Sequence, residues 1–492
     1  MTSRAARWLT FDRLVTAIVL ISIFAMAVRV PVDSDTWWHL ESGRWIVTYQ
    51  EIPQVDPFSH TRLGAPWIDH SWLAQIVLFL VYDAAGYAGL GLLVAMLATV
   101  AFVFVRMQCR KGNRWLLAFT LITAAATSGV IWVARPQMFS FAYTAILCYL
   151  LHRFRQGDDR ALGWIPPLMV LWVNTHGGFA VGFILLAVHL FGELGNQVLL
   201  TGTPRLSWCP AGRLALVAAI SFLLVSLNPN GVQMWMYPFR TVGIGVLQDF
   251  IAEWRPPDFH QLHLQPFIWM VLAALTAFGL SGRPADWTDL TLVALFTYMS
   301  LMAGRNIALF ALVTAPVIVR YGSTALEAWR VRRGGRLRST AARPHRALTA
   351  LNWAILLLVL VGTVAKSVPP LRLEANRRAQ SGSMPVNAVE YLRREQPVGP
   401  MLNSYNWGGY LIWHLAEYPV FVDGRTDLYD NEFLREYLAL VWCQPGWEQK
   451  LDDWGINLVL IEPESTLARL LQEHPDWQQT ISDEIAVVFV RQ

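Results

Sequence analysis

Apolar stretches of about 20 residues recur along this chain, separated by short polar loops. At about 1.5 Å per helical residue, each such stretch matches a bilayer core roughly 30 Å thick. The composition agrees, with 54% hydrophobic and only 15% charged residues, where soluble domains hold about 45–50% and about 25%. A water-soluble enzyme of this size is excluded, and so is a disordered or fibrous chain. The expected fold class is a polytopic α-helical membrane protein. Spans are expected near residues 12–30, 86–105, 115–133, 138–152, 161–173, 178–200, 214–227, 266–281, 287–303, 307–320 and 347–366. Segments 161–173 and 214–227 are short for a bilayer and predict broken or protein-buried helices.

Sidedness follows from the basic residues. One set of loops carries twenty-one Arg and Lys residues and the opposite set carries six. By the positive-inside rule the N-terminus is cytoplasmic, and residues 31–70 and 367–492 lie outside, as expected of a cell (inner) membrane protein. Ala25-Met26-Ala27 resembles a signal-peptide cleavage site. An uncleaved helix is expected, because no mature soluble domain follows it. The run 320–346 reads as a basic loop that meets anionic headgroups. A net charge of +4 from 39 basic and 35 acidic residues is too balanced to suggest nucleic acid. Four scattered cysteines indicate neither a disulfide framework nor a zinc site.

The polar segments are organised. Residues 1–366 form a transmembrane domain whose first outer loop, 31–85, holds two amphipathic helices. One is Trp-rich (Thr36 to Ile46) and one runs from Ser71 to Asp83, capped by Asp69 or Ser71. A second outer loop, 229–265, ends a helix at Trp254 before Arg255-Pro256-Pro257. From 367 the chain turns polar and alternating, which predicts a small C-terminal extracytoplasmic α/β domain. Its expected strands are 399–403, 419–423, 456–461 and 484–490, and its expected helices are 385–395, 407–415, 430–441, 445–453 and 464–473.

Chemistry-bearing residues gather on the outer side, where ionisable groups at membrane depth tend to line cavities. Asp33 and Asp35, two residues apart just past the first span, can share a divalent cation, magnesium or manganese. One of them can instead act as general base towards an acceptor hydroxyl. An isolated acidic pair also caps a helix, but His39 and Glu41 beside it favour a site. Arg135, Arg240 and Arg305 suit a phosphate or pyrophosphate, since the guanidinium fork matches its oxygens; each is equally placed to snorkel to headgroups. Arg305 stands out, with Asn306, in a very short turn between two apolar spans. His176, between Asn174 and a glycine pair, can donate, ligate a metal or merely break a helix. Asp249 and Glu253, at i and i+4, share one helix face, either towards the acceptor or towards solvent.

Together these residues resemble the GT-C superfamily of integral membrane glycosyltransferases. The stretch from Asp33 to Leu40 looks like the first-loop acidic signature of that group. The tail segments Asn403 to Trp413 and Phe421 to Arg425 are similar to uncharacterised bacterial members. The resemblance implies sugar transfer from a polyprenyl-phosphate carrier to an acceptor hydroxyl on the extracytoplasmic face. By the same resemblance, Asp33 or Asp35 would be base or metal ligand, and Arg135, Arg240 or Arg305 would hold the carrier phosphate. His39, Glu41, His176, Glu253 and Asn306 are the other candidate substrate-binding residues. The tail lacks a W-W-D-Y-G-type motif, which argues against a peptide-sequon oligosaccharyltransferase. Expected partners are membrane lipids and the lipid-linked sugar. The alternative is a catalytically silent scaffold or lipid-binding subunit that docks a protein through its C-terminal domain. A secondary transporter is disfavoured, because no inverted repeat is visible and the ionisable residues cluster outside the midplane.

Overall fold

The computed structural model describes residues 9–109, 112–199, 208–333 and 346–492. Much of the basic loop at 320–346 and several other arginines of the charge count, among them Arg4, Arg7, Arg110 and Arg205, lie outside the described residues. All eleven expected spans are helical. Among the described residues, seven helices are long and apolar enough to cross a membrane. Phe11–Ala27, Ile165–Val173 and Trp287–Met302 are shorter, and Gln137–Arg155 is more polar.

Two differences from expectation have physical causes. The expected interfacial helix 71–83 and the following span are one element, Trp72–Gln108, bent at Gly86 with φ 57° and ψ −151°. Only glycine takes that conformation cheaply. Ser71 occupies the cap position without a side-chain cap bond. The span expected at 214–227 begins earlier, and Pro210–Leu227 is of full membrane length, because Arg213 lies near a helix end where it reaches Asp159. Segment 161–173 is broken as anticipated, into the 3-10 turn Asp159–Trp164 and the nine-residue helix Ile165–Val173.

The helix connections sort to two ends of the bundle. At one end, Arg155 pairs with Asp286 and Asp289, Arg320 also reaches Asp289, and Arg114 meets Asp12. At the other lie the Trp-rich helix Thr36–Tyr49, the turns at Arg135, His176 and Arg305, and loop 229–265. The tail domain covers that second end. Its sheet runs in the order β1 (Met401–Asn403), β2 (Leu458–Ile461), β4 (Val487–Arg491), β3 (Trp477–Ser482). The first pair is parallel and the others are antiparallel. β1 and β2 are buried throughout; β2 is a continuous apolar run, and β1 ends in Asn403, whose amide donates to the Ser404 and Val422 carbonyls.

Segment 419–423 does not join this sheet. Val420 bridges to Ser59 of the first outer loop, exchanging backbone hydrogen bonds with Phe58 and His60. Strand β3 was not expected, because its burial pattern has no clean alternation to read. The first loop is therefore stitched to the tail by backbone. Thr61 adds a hydroxyl bond to the Phe421 carbonyl at 2.6 Å.

Candidate active site

Asp35 occupies the cap position of Thr36–Tyr49, yet its carboxylate makes no cap bond. It meets Arg135 instead, with Nη2 2.6 Å from Oδ2. Asp33 accepts the Asp35 backbone N–H through Oδ1 at 3.0 Å, and its Oδ2 lies 3.6 Å from Arg135 Nη1. The same Nη1 donates to Glu253 Oε1 at 2.7 Å. Arg135 stands in the turn before Pro136, where the chain enters Gln137–Arg155, and Glu253 stands in the 3-10 turn Ala252–Trp254. One guanidinium thus gathers three carboxylates from two distant loops. Burial pushes the Asp35 carboxyl up to about 7, against the pull of Arg135. Burial also pushes Glu253 up, but Arg135 and then Arg305 outweigh it and hold its carboxyl below the ordinary range.

The tail presses directly on this cluster. A Cβ on Gly424 would sit 1.8 Å from Asp35 Oδ1, and one on Gly409 would sit 2.4 Å from the Ser34 carbonyl oxygen. The two tail motifs are therefore glycine-bearing where backbone touches the acidic loop. Next to Gly424, Arg425 is only 1% exposed. It bonds Asp56 Oδ1 at 2.7 Å and both oxygens of Asp423 at 2.9 and 2.7 Å. Its guanidinium lies over the Trp67 and Phe58 rings.

A cavity of about 920 Å³ opens between the bundle end and the tail. Asp35, His39, Arg135, His176, Glu253 and Arg305 all line it. Arg305 stacks over Trp254 at 4.4 Å and, among the described residues, forms no ion pair with a carboxylate. Its charge is therefore open to an anion. His176 is held in one tautomer. Its Nδ1 accepts from the Gly178 N–H at 3.0 Å, and Trp172 Nε1 donates to Ser140 Oγ, which leaves the Ser140 hydroxyl to donate to Nδ1 at 2.8 Å. The ring proton then resides on Nε2. A side chain on Gly178 would collide with this arrangement. Burial keeps His176 and His39 well below the ordinary histidine range, so both are neutral.

Not every expected residue reaches the cavity. Glu41 turns away to pair with Arg44, one turn along the same helix, at 2.6 Å. Arg240 is exposed on Gln233–Val242. Asn306 donates to the Met299 carbonyl and finishes Trp287–Met302. The side chain of Asp249 lies outside the described residues. Conversely, Tyr405, Asp427, His70 and Tyr237 line the cavity without having been singled out as site residues. Tyr237 Oη lies 3.4 Å from both His70 Nε2 and Asp427 Oδ2.

The acid pair fits a divalent cation poorly. Among the described residues no three His, Cys, Asp or Glu side chains come together as a metal set. The space between Asp33, Asp35 and Glu253 is filled by Arg135.

A helical membrane bundle with a Trp-rich loop helix, an acidic first loop and a small covering α/β domain is the arrangement expected of a GT-C-like fold. No family profile and no curated protein matches the sequence. Solved structures match its fold. The archaeal oligosaccharyltransferase AglB from Archaeoglobus fulgidus, in complex with an inhibitory peptide and a dolichol-phosphate, is similar with a TM-score of 0.59 at 11% identity. The match covers 91% of this chain and 69% of that one. ArnT from Cupriavidus metallidurans, bound to undecaprenyl phosphate, is similar with a TM-score of 0.51 at 14% identity, over 97% of both chains. At these identities the likeness carries the fold.

Proposed function

We propose that this protein transfers a sugar from a polyprenyl-phosphate carrier to an acceptor hydroxyl, at the extracytoplasmic face of the cell membrane. The observation that carries this reading is convergence. Asp35, Arg135, His176, Glu253 and Arg305, drawn from five separate segments, line one cavity at one end of the bundle. A scaffold has no need to bring them together. The two fold relatives bound to a dolichol-phosphate and to undecaprenyl phosphate support a lipid phosphate as the donor's anchor. The sidedness of the basic loops supports the extracytoplasmic orientation.

Asp35 takes the acceptor's hydroxyl proton, and a carboxyl poised near neutrality suits that task. The acceptor oxygen bonds to the anomeric carbon while the bond from that carbon to the phosphate oxygen breaks, with inversion. The electron pair leaves with the phosphate, where Arg305 and the His176 Nε2–H stabilise the developing charge. Arg135 holds Asp35 in place and keeps its carboxylate accessible near neutral pH.

Native mass spectrometry of the detergent-solubilised protein with added undecaprenyl phosphate tests this reading. Retention of the lipid by wild type and its loss in Arg305→Ala, by about tenfold or more in affinity, is the expected result. Equal retention by both proteins, or a stoichiometric protein partner with no lipid, would move the assignment to a scaffold.

A further inference from the structure

We propose that Arg135 is the resident cation of this site, occupying the place a divalent metal would take among Asp33, Asp35 and Glu253, so that the acid cluster is metal-free by design. This deepens the transferase reading of the same site and rests on it only for the consequence in catalysis.

The argument starts from ligand geometry. A hard divalent ion such as magnesium or manganese needs several oxygens at about 2.0–2.6 Å. The three carboxylates here converge instead on guanidinium nitrogens, at 2.6 Å from Asp35, 2.7 Å from Glu253 and 3.6 Å from Asp33. A metal placed to reach the same oxygens would lie within a few ångströms of that guanidinium, like charge against like charge in a half-buried site. The two cations are mutually exclusive.

Three features make the arginine a fixture. Its side chain is 19% exposed. It is anchored in a turn by Pro136, whose ring sets the backbone. Its two terminal nitrogens bridge two loops, Nη2 reaching Asp35 of the first and Nη1 reaching Glu253 of the second and, at 3.6 Å, Asp33 of the first. A planar, permanently charged fork does this where a lysine could serve only one partner well. The cluster also differs from an ordinary surface ion pair in that the tail's Gly424 backbone packs against Asp35 Oδ1. Arg135 thus supplies charge balance that a metal would otherwise provide, and it fixes the relative position of the two outer loops. It acts through the carboxylates, as a positioning residue.

The test is manganese binding to the detergent-solubilised full chain, read by electron paramagnetic resonance and by the Mn²⁺-induced shift in thermal unfolding. Neither readout needs the acceptor or any transfer. Wild type should bind no stoichiometric Mn²⁺. Arg135→Gln leaves three carboxylates around a vacated space and should gain one Mn²⁺ per chain, an affinity rise of about tenfold or more, with a matching thermal shift. Arg135→Lys, which keeps the charge, should stay like wild type and shows that the gain follows charge rather than misfolding. Stoichiometric Mn²⁺ on wild type that disappears in Asp35→Asn would overturn the proposal, and so would an Arg135→Gln protein that unfolds cooperatively yet binds no Mn²⁺. If the lipid experiment above fails while these results hold, only the transferase reading falls.

Discussion

Arg425 ties the tail to the first outer loop, and its removal has a calculable cost. In Arg425→Met the aliphatic volume survives, but two buried carboxylates lose the Arg425 guanidinium. Asp56 keeps the Phe58 and Ser59 backbone donors, and Asp423 keeps the Tyr429 hydroxyl at 2.9 Å. Both carboxyl groups are buried, with Asp56 1% and Asp423 0% exposed. Stripping one partner from a buried pair costs about 3–5 kcal/mol. Loss of the guanidinium from the faces of Trp67 and Phe58 adds about 0.5–2 kcal/mol. Against a typical total of about 5–15 kcal/mol this is a large fraction. Unfolding in detergent followed by tryptophan fluorescence measures the loss, and limited trypsin digestion reports release of the tail. Asp56→Asn in the Arg425→Met background removes one of the stranded charges and should recover about 1–3 kcal/mol. A single-variant loss below about 1 kcal/mol, or simple additivity in the double variant, would refute the lock.

Two further outcomes follow from the site. Gly424→Ala forces a Cβ to within 1.8 Å of Asp35 Oδ1. Displacement of the base by an ångström should cut donor consumption about a hundredfold, and a wild-type rate in the alanine variant would disprove the contact. Asp69 is buried, with Oδ2 unpartnered, and burial pushes its carboxyl up to about 7 despite the bond from Gln75. An acid raised on folding stabilises the protein while protonated. That contribution is complete below about pH 4 and is lost as pH rises to about 7, up to about 4 kcal/mol. Asp69→Asn should flatten this slope in unfolding measured across that range, and an unchanged slope would assign it to another group.

Much of the architecture was legible in the chain because its causes are local. A bilayer demands about 20 apolar residues per crossing and internally satisfied backbone, so length and hydropathy alone mark the spans. The same patterns separate the two ends of the bundle, which is why Asp35, Arg135, His176, Glu253 and Arg305 could be grouped before any coordinates. They could not be aimed. Glu41 shares that end, yet helix rotation places it against Arg44, and Asn306 spends its amide on a helix carbonyl.

The tail motifs show the remaining limit. Trp407-Gly-Gly and Val422-Asp-Gly-Arg425 stand out by composition, but nothing near them in sequence says that Gly424 abuts Asp35 or that Arg425 reaches Asp56, 369 positions away. The same holds for Asp427 and Tyr405, which enter the cavity only because the tail folds back over the bundle. What the sequence determined by itself is the membrane bundle and the residue types that gather at each of its ends, all set by interactions with solvent and lipid. What only tertiary structure decided is which of those side chains face one another across the cavity and that an arginine holds the acids, because such pairings depend on packing between segments that the chain order keeps far apart.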